Sequence, residues 1–151
     1  MYKTILVPLD GSRRAEKILP HMEELARRYQ AEIVFFRVVE PPILFGEGGA
    51  SITKQYEQDL ERRIQNSEQY LEAQVRKFTE KGLAARSRLG GRYPVVEGIV
   101  TAAEEEDADL IALASHGRSG ISQFFYGSVA AAVLQRIDRP LFLIRSQDPF
   151  E

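Results

Sequence analysis

Three stretches of this chain are apolar at nearly every consecutive position: Ile5-Leu6-Val7, Ile33 to Val39 with only Arg37 interrupting, and Leu110 to Ala114. A strand built from such a run has to bury both of its faces, which is what a parallel sheet with helices on two sides requires. The stretches between them supply those helices. Ile18, Met22, Leu25 and Tyr29 recur at helical spacing, although Pro20 removes a donor inside the pattern and predicts a kink or break there. From Gln55 to Lys81 an amphipathic stripe runs through Tyr56, Leu60, Ile64, Ser67, Leu71, Val75 and Phe78, and Gly82 ends it. Pro94 suits the first turn of a helix reaching about Asp107, with Val96, Ile99, Val100 and Ala103 inward. Gly127 and Ser128 open a last helix whose inward side is expected to hold Val129, Val133, Leu134 and Ile137.

Two further strands complete the pattern. Leu83 to Leu89 alternates apolar residues with Arg86 and Arg88 and suits a sheet edge, while Leu141 to Ile144 is uncharged and follows Arg139-Pro140. Strand and helix alternating to five strands and four helices predict an α/β fold: a five-stranded, mostly parallel sheet, doubly wound in three α/β/α layers, with strand order 3-2-1-4-5. We expect one domain over residues 1–146 and a tail over 147–151. The last strand then lies at an edge, where an apolar run invites pairing, so Leu141 to Ile144 is expected to form a homodimer seam. Burial of that run by helices of the same chain is the alternative.

Composition narrows the function classes. The chain has 151 residues with 20 basic and 22 acidic side chains and no cysteine, which excludes thiol catalysis, zinc fingers and iron–sulfur clusters. A net charge of −2 without a basic block gives no footprint for nucleic acid or an anionic membrane, and neither is expected as a partner. No run approaches the ~18 apolar residues of a membrane span, and the amino end does not read as a signal peptide, so a cytoplasmic location is expected.

In a doubly wound sheet the ligand lies beyond the carboxyl ends of the strands where the strand order reverses, here between the first and fourth strands. Two loops meet there, Pro8 to Ser12 and Ser115 to Ser128. Gly117, Gly120 and Gly127 allow close backbone approach, and Ser128 begins a helix whose free N–H groups favour phosphate, with Asp10 opposite for ribose hydroxyls or an amino group. Glycines that merely permit tight turns remain the alternative. Neither G-x-x-x-x-G-K-[ST] nor G-x-G-x-x-G occurs. Ile43 to Thr53, with Gly46, Gly48 and Gly49, reads as a long connection of the kind used for lids or interaction loops. His116 reads as a loop histidine rather than a general base, His21 as surface, Glu104 to Asp107 as a solvated helix end, and Arg62 and Arg63 as the wet face of the long helix.

Ala114-Ser115-His116-Gly117, nine residues and then Gly127-Ser128, taken with Ile5 to Ser12 and with Arg139-Pro140 before an apolar strand, resembles the universal stress protein family over essentially the whole chain. The resemblance implies a fold of the adenine nucleotide alpha-hydrolase-like kind. It further implies ATP or another adenine nucleotide as ligand, with magnesium or manganese bridging its phosphates. Pro8, Leu9 and Asp10 would line the adenosine end and Val38 would offer its backbone to the adenine edge. Gly117 would face ribose and phosphate; Gly127, Ser128 and Val129 would serve the phosphates, and Arg118 would add charge. The family's nucleotide-binding branch has glycine where this chain has Ala114, a departure expected to weaken binding or leave it unchanged. The resemblance implies a sensor or regulator with at most slow ATP hydrolysis. A stress-response interaction module without nucleotide is the second reading, and an ATP-using enzyme of the related fold the third.

Overall fold

The computed structural model describes residues 1–43, 49–91, 94–116 and 127–146. Five strands form one sheet: β1 (Thr4–Pro8), β2 (Glu32–Val38), β3 (Ala85–Gly90), β4 (Leu110–His116) and β5 (Leu141–Ser146). Their order is β3-β2-β1-β4-β5 and every neighbouring pair is parallel, as expected from three doubly buried runs joined by helices. Asp109 ties the starts of the central strands together, accepting from the backbone N–H groups of Lys3 at 2.8 Å and Thr4 at 3.3 Å.

The helices are α1 (Arg13–Glu16), α2 (Leu19–Tyr29), α3 (Ala50–Thr79), α4 (Val95–Glu105) and α5 (Ser128–Arg136). The expected first helix is divided in two. Pro20 stands in the first turn of α2, where its missing N–H costs no hydrogen bond, and α1 closes separately behind the Ser12 cap. Helix α3 begins at Ala50 rather than Gln55, so Ala50 to Thr53 belong to a helix and not to the connection; residues 44–48 of that connection lie outside the described residues. Pro94 caps α4 from outside instead of occupying its first turn.

Side chains alternate between two cores. On one face Ile5, Val7, Ile33 and Phe35 pack with Met22 and Ala26 of α2 and Leu71 and Phe78 of α3. Phe35 meets Phe78 edge to face with ring centroids 5.0 Å apart, worth about 0.5–1.5 kcal/mol beyond the area buried. On the other face Leu6, Val34, Phe36 and Ile111 pack with Ile99, Ala102 and Ala103 of α4 and with Ala130 and Val133 of α5. Helix α4 approaches so closely that a β-carbon on Gly98 would lie 2.7 Å from Val38 Cγ2. Gly98 and Ala102, rather than Val96 and Val100, therefore take the innermost positions of α4 beside Ile99 and Ala103.

The last helix corrects one expectation. Val129 and Leu134, placed inward by periodicity, are 37% and 54% exposed, and Ala130 and Val133 are the buried pair. Helical spacing defines a stripe, but α5 covers only the outer part of the sheet, and the contact strip is narrower than the apolar one.

Candidate functional site

A cleft of about 560 Å³ opens above the carboxyl ends of the strands, and its walls include residues from β1, β2, β4, α3, α4 and α5. It lies where the strand order reverses, because β1 pairs with β2 on one side and β4 on the other, and the connections leave in opposite directions. Of the residues expected to contact a nucleotide, Pro8, Leu9, Asp10, Val38, Gly127, Ser128 and Val129 all line it. Gly117 and Arg118 lie outside the described residues, as does the side chain of His116.

The floor begins with β1. Pro8 ends the strand, and Leu9 prolongs the ladder by donating to the Phe36 carbonyl at 2.8 Å, which leaves Asp10 at the rim. Asp10 Oδ1 accepts from the Ser12 backbone N–H at 2.8 Å and Oδ2 from Arg14 Nη2 at 3.1 Å. Burial alone would discourage ionisation, but the Ser12 hydrogen bonds and the Arg14 guanidinium outweigh it and hold the carboxyl below its ordinary range. Asp10 is therefore a fixed carboxylate acceptor at neutral pH.

The opposite wall is built for an anion. Gly127 has φ of +75° with ψ of 144°, a combination open essentially to glycine, and it turns the chain directly into α5. The first intrahelical bond runs from Ala131 to the Gly127 carbonyl, so the N–H groups of Ser128, Val129 and Ala130 have no partner within the helix. Among the described residues no side chain caps them, and the positive end of the helix dipole adds to their pull. Ala114 belongs to the same wall, half-buried in β4 opposite Ile144 of β5.

The α3 side holds residues that periodicity assigned elsewhere. Arg63, expected on the wet face, is exposed but reaches the cleft and donates to the Glu40 carbonyl at 3.2 Å. Asn66 and the buried Ser67 follow it one turn later. Deeper on this face Glu16 of α1 accepts from Tyr70 Oη at 2.8 Å and from Gln74 at 3.4 Å. Burial first, and the Glu16 partner second, push the Tyr70 hydroxyl well above its ordinary range, so it stays a donor. Arg37, the one charge in the run Ile33 to Val39, also lines the cleft. Its position on a buried strand was the only sequence signal for it.

Among the described residues no three His, Cys, Asp or Glu side chains gather as metal ligands, and no helix is long and apolar enough to cross a membrane. His21 is exposed on α2, its ring 5.7 Å from Phe142. Glu105 and Glu106 are not merely a solvated helix end: they pair with Arg88, and Glu106 also with Arg86.

The sequence pattern of the universal stress protein family matches residues 1–145. A universal stress protein of Thermus aquaticus is 30% identical, the alignment covering 96% of this chain and all of the relative. Universal stress protein MJ0577 of Methanocaldococcus jannaschii is 24% identical over 98% of both chains. The solved structure of MJ0577 superimposes with a TM-score of 0.79, covering 98% of this chain and 99% of the other at 23% identity. Similar solved structures include nucleotide complexes. A universal stress protein of Archaeoglobus fulgidus in complex with dAMP is similar with a TM-score of 0.66 and 23% identity, covering 95% of this chain and 98% of the other. One from Arabidopsis thaliana with AMP bound is similar with a TM-score of 0.66 and 14% identity, covering 97% of this chain and 94% of the other.

Proposed function

This chain belongs to the universal stress protein family, and from that premise we propose that its cleft binds an adenine nucleotide and that the bound state acts as a sensor or regulator. The observation that carries the proposal is the pairing of two unlike walls around one cleft. One is the uncapped amino end of α5 behind Gly127, suited to phosphate; the other is the ionised Asp10 beside Val38, suited to hydroxyl and amino donors. Val38 ends β2 in the cleft wall, the position from which its backbone would meet an adenine edge. The AMP and dAMP held by the Arabidopsis and Archaeoglobus proteins are ligands of this class. A divalent cation in this arrangement is carried by the phosphates.

The proposed role is binding and signalling, with hydrolysis slow at most, because rapid phosphoryl transfer requires a positioned base together with a cationic clamp on the transferring group. The proposal includes a homodimer formed by Leu141 to Ile144. These four side chains are half-buried, packing alternately against the two cores, and leave the outer backbone edge of β5 for a second copy.

Thermal shift with ATP, ADP and AMP, with and without magnesium, tests the binding. A saturable rise of several degrees is expected, and Ser128→Asp should abolish it: an aspartate in the first helical turn suits the dipole of α5 but repels phosphate. A rise of the same size in that variant removes the α5 cradle from the reading. No rise in the wild-type protein with any of the three nucleotides, and no nucleotide in the mass spectrum of the purified protein, favours the interaction module and makes Ala114 the mark of a lost pocket.

A further inference from the structure

The nucleotide reading gives tasks to the amino end of α5, Asp10 and Val38, and gives none to the guanidinium of Arg37. Arg37 stands near the end of β2 with its half-buried side chain in the cleft wall. Its guanidinium lies over the Tyr70 ring, the central carbon 5.2 Å from the ring centroid, and beside Gly11, where a β-carbon would come within 3.2 Å of Nη1. Gly11 has φ of +85°, so the backbone conformation favours glycine at the position that leaves this room for the guanidinium. Tyr70 is itself anchored by Glu16.

Arg37 nevertheless has no carboxylate partner among the described residues, whereas Arg14, Arg86 and Arg88 each reach one. The nearby Asp10 is already occupied by Arg14 and Ser12. A guanidinium carries five donors in a rigid plane, and withdrawing it from water without an acceptor is costly. Placed on a stacked platform at the edge of a cleft, such a group matches an oxyanion in two-point fashion. Arg63 adds a second cation to the same wall.

We propose that Arg37 is a specificity-determining residue that takes a second anionic group of the ligand, so that the cleft prefers an adenine nucleotide phosphorylated at two separate positions of its ribose. The inference rests on the nucleotide reading above and deepens it. The first phosphate occupies the α5 amino end. Asp10 faces the ribose hydroxyls, and a phosphoryl group esterified to one of them is directed past Asp10 to the guanidinium over Gly11.

Calorimetry at fixed ionic strength, with AMP, adenosine 2′,5′-bisphosphate and adenosine 3′,5′-bisphosphate as probes, tests this on the 151-residue chain. At least one bisphosphate is expected to bind about tenfold tighter than AMP, the isomer that gains identifying the position of the second group. Arg37→Met should erase the gain while leaving AMP affinity within about twofold, and Arg37→Lys, which keeps the charge without the planar fork, should retain part of it. If AMP binds and neither bisphosphate binds tighter, or if Arg37→Met weakens all three ligands alike, the inference falls and the nucleotide reading stands. If none of the three binds the wild-type protein, both fall together. The apo thermal midpoint of Arg37→Met, expected within about 2 °C of wild type, separates loss of the subsite from loss of the fold; should that variant unfold, the partial gain in Arg37→Lys decides alone.

Discussion

The two edges of the sheet end the same ladder by opposite means. At β3 the wet side carries Arg86 and Arg88, and Glu32, Glu105 and Glu106 close around them, so the edge is sealed by an ion-pair network. At β5 the run Leu141 to Ile144 carries no charge and is only half-buried, although the chain spends two helices near it. Arg139 sharpens the difference. It pins the turn before β5 to the end of α4, donating to the Ala103 and Ala108 carbonyls at 2.8 Å each, so the apolar edge is held rigidly in place. A charged rim discourages strand addition, and a fixed apolar one invites it. The same contrast runs through the cleft, where Asp10 is paired with Arg14 and Arg37 meets no carboxylate among the described residues.

Exchanging the characters of the two edges has the largest expected effect. Leu143→Lys at β5 should convert the proposed dimer to monomer in sedimentation velocity, with the lysine stem still covering part of the leucine's contact area. A variant that sediments as a dimer moves the seam elsewhere. Conversely, Arg86→Leu combined with Arg88→Leu should turn β3 into a second sticky edge, raising light scattering on concentration; a solution that stays monodisperse would show that edge charge is not what guards β3.

A smaller effect is expected from the network alone. The Arg86 hydrogen bond, joined by Arg88, outweighs the opposing effect of burial and holds the Glu106 carboxyl below its ordinary range. Glu106 is 14% exposed and its arginine partners 41% and 28%, so Glu106→Gln should cost about 1 kcal/mol, or roughly 2–4 °C of thermal midpoint. Because the folded pKa is the lower one, that stability is fully present above the unfolded value and is lost as pH falls through the folded one. Denaturation curves of the wild type and the variant should therefore separate at neutral pH and converge in acid; a constant separation would mean that the carboxylate charge is not the source. The smallest effect belongs to Leu134, 54% exposed on α5. Leu134→Ser should change monomer stability by no more than about 0.5 kcal/mol in urea titration, and a cost above ~2 kcal/mol would mean that the side chain is covered in solution.

Much of this was legible from residue order. Runs apolar on both faces can only be central strands, Arg86 and Arg88 can only suit an edge, and the connection rules then leave one order, which places Pro8 to Asp10 against Gly127 and Ser128. The α3 wall was not legible. Ser67 fell on the apolar stripe, but Gln74 is buried as well, and Arg63 belongs to the cleft, because the angle at which a long helix crosses a sheet decides which polar residues face inward. Val129 and Leu134 failed for the related reason that a stripe wider than its contact leaves apolar residues outside.

Local chemistry along the chain thus determined the elements, their order and the glycine-bearing turn at the head of α5, since each depends on backbone angles and on periodicities that neighbouring residues set among themselves. Only the tertiary structure decided that Arg37 lies over Tyr70 and beside Gly11, because such contacts depend on distances between segments that are remote in sequence, and no periodicity encodes them.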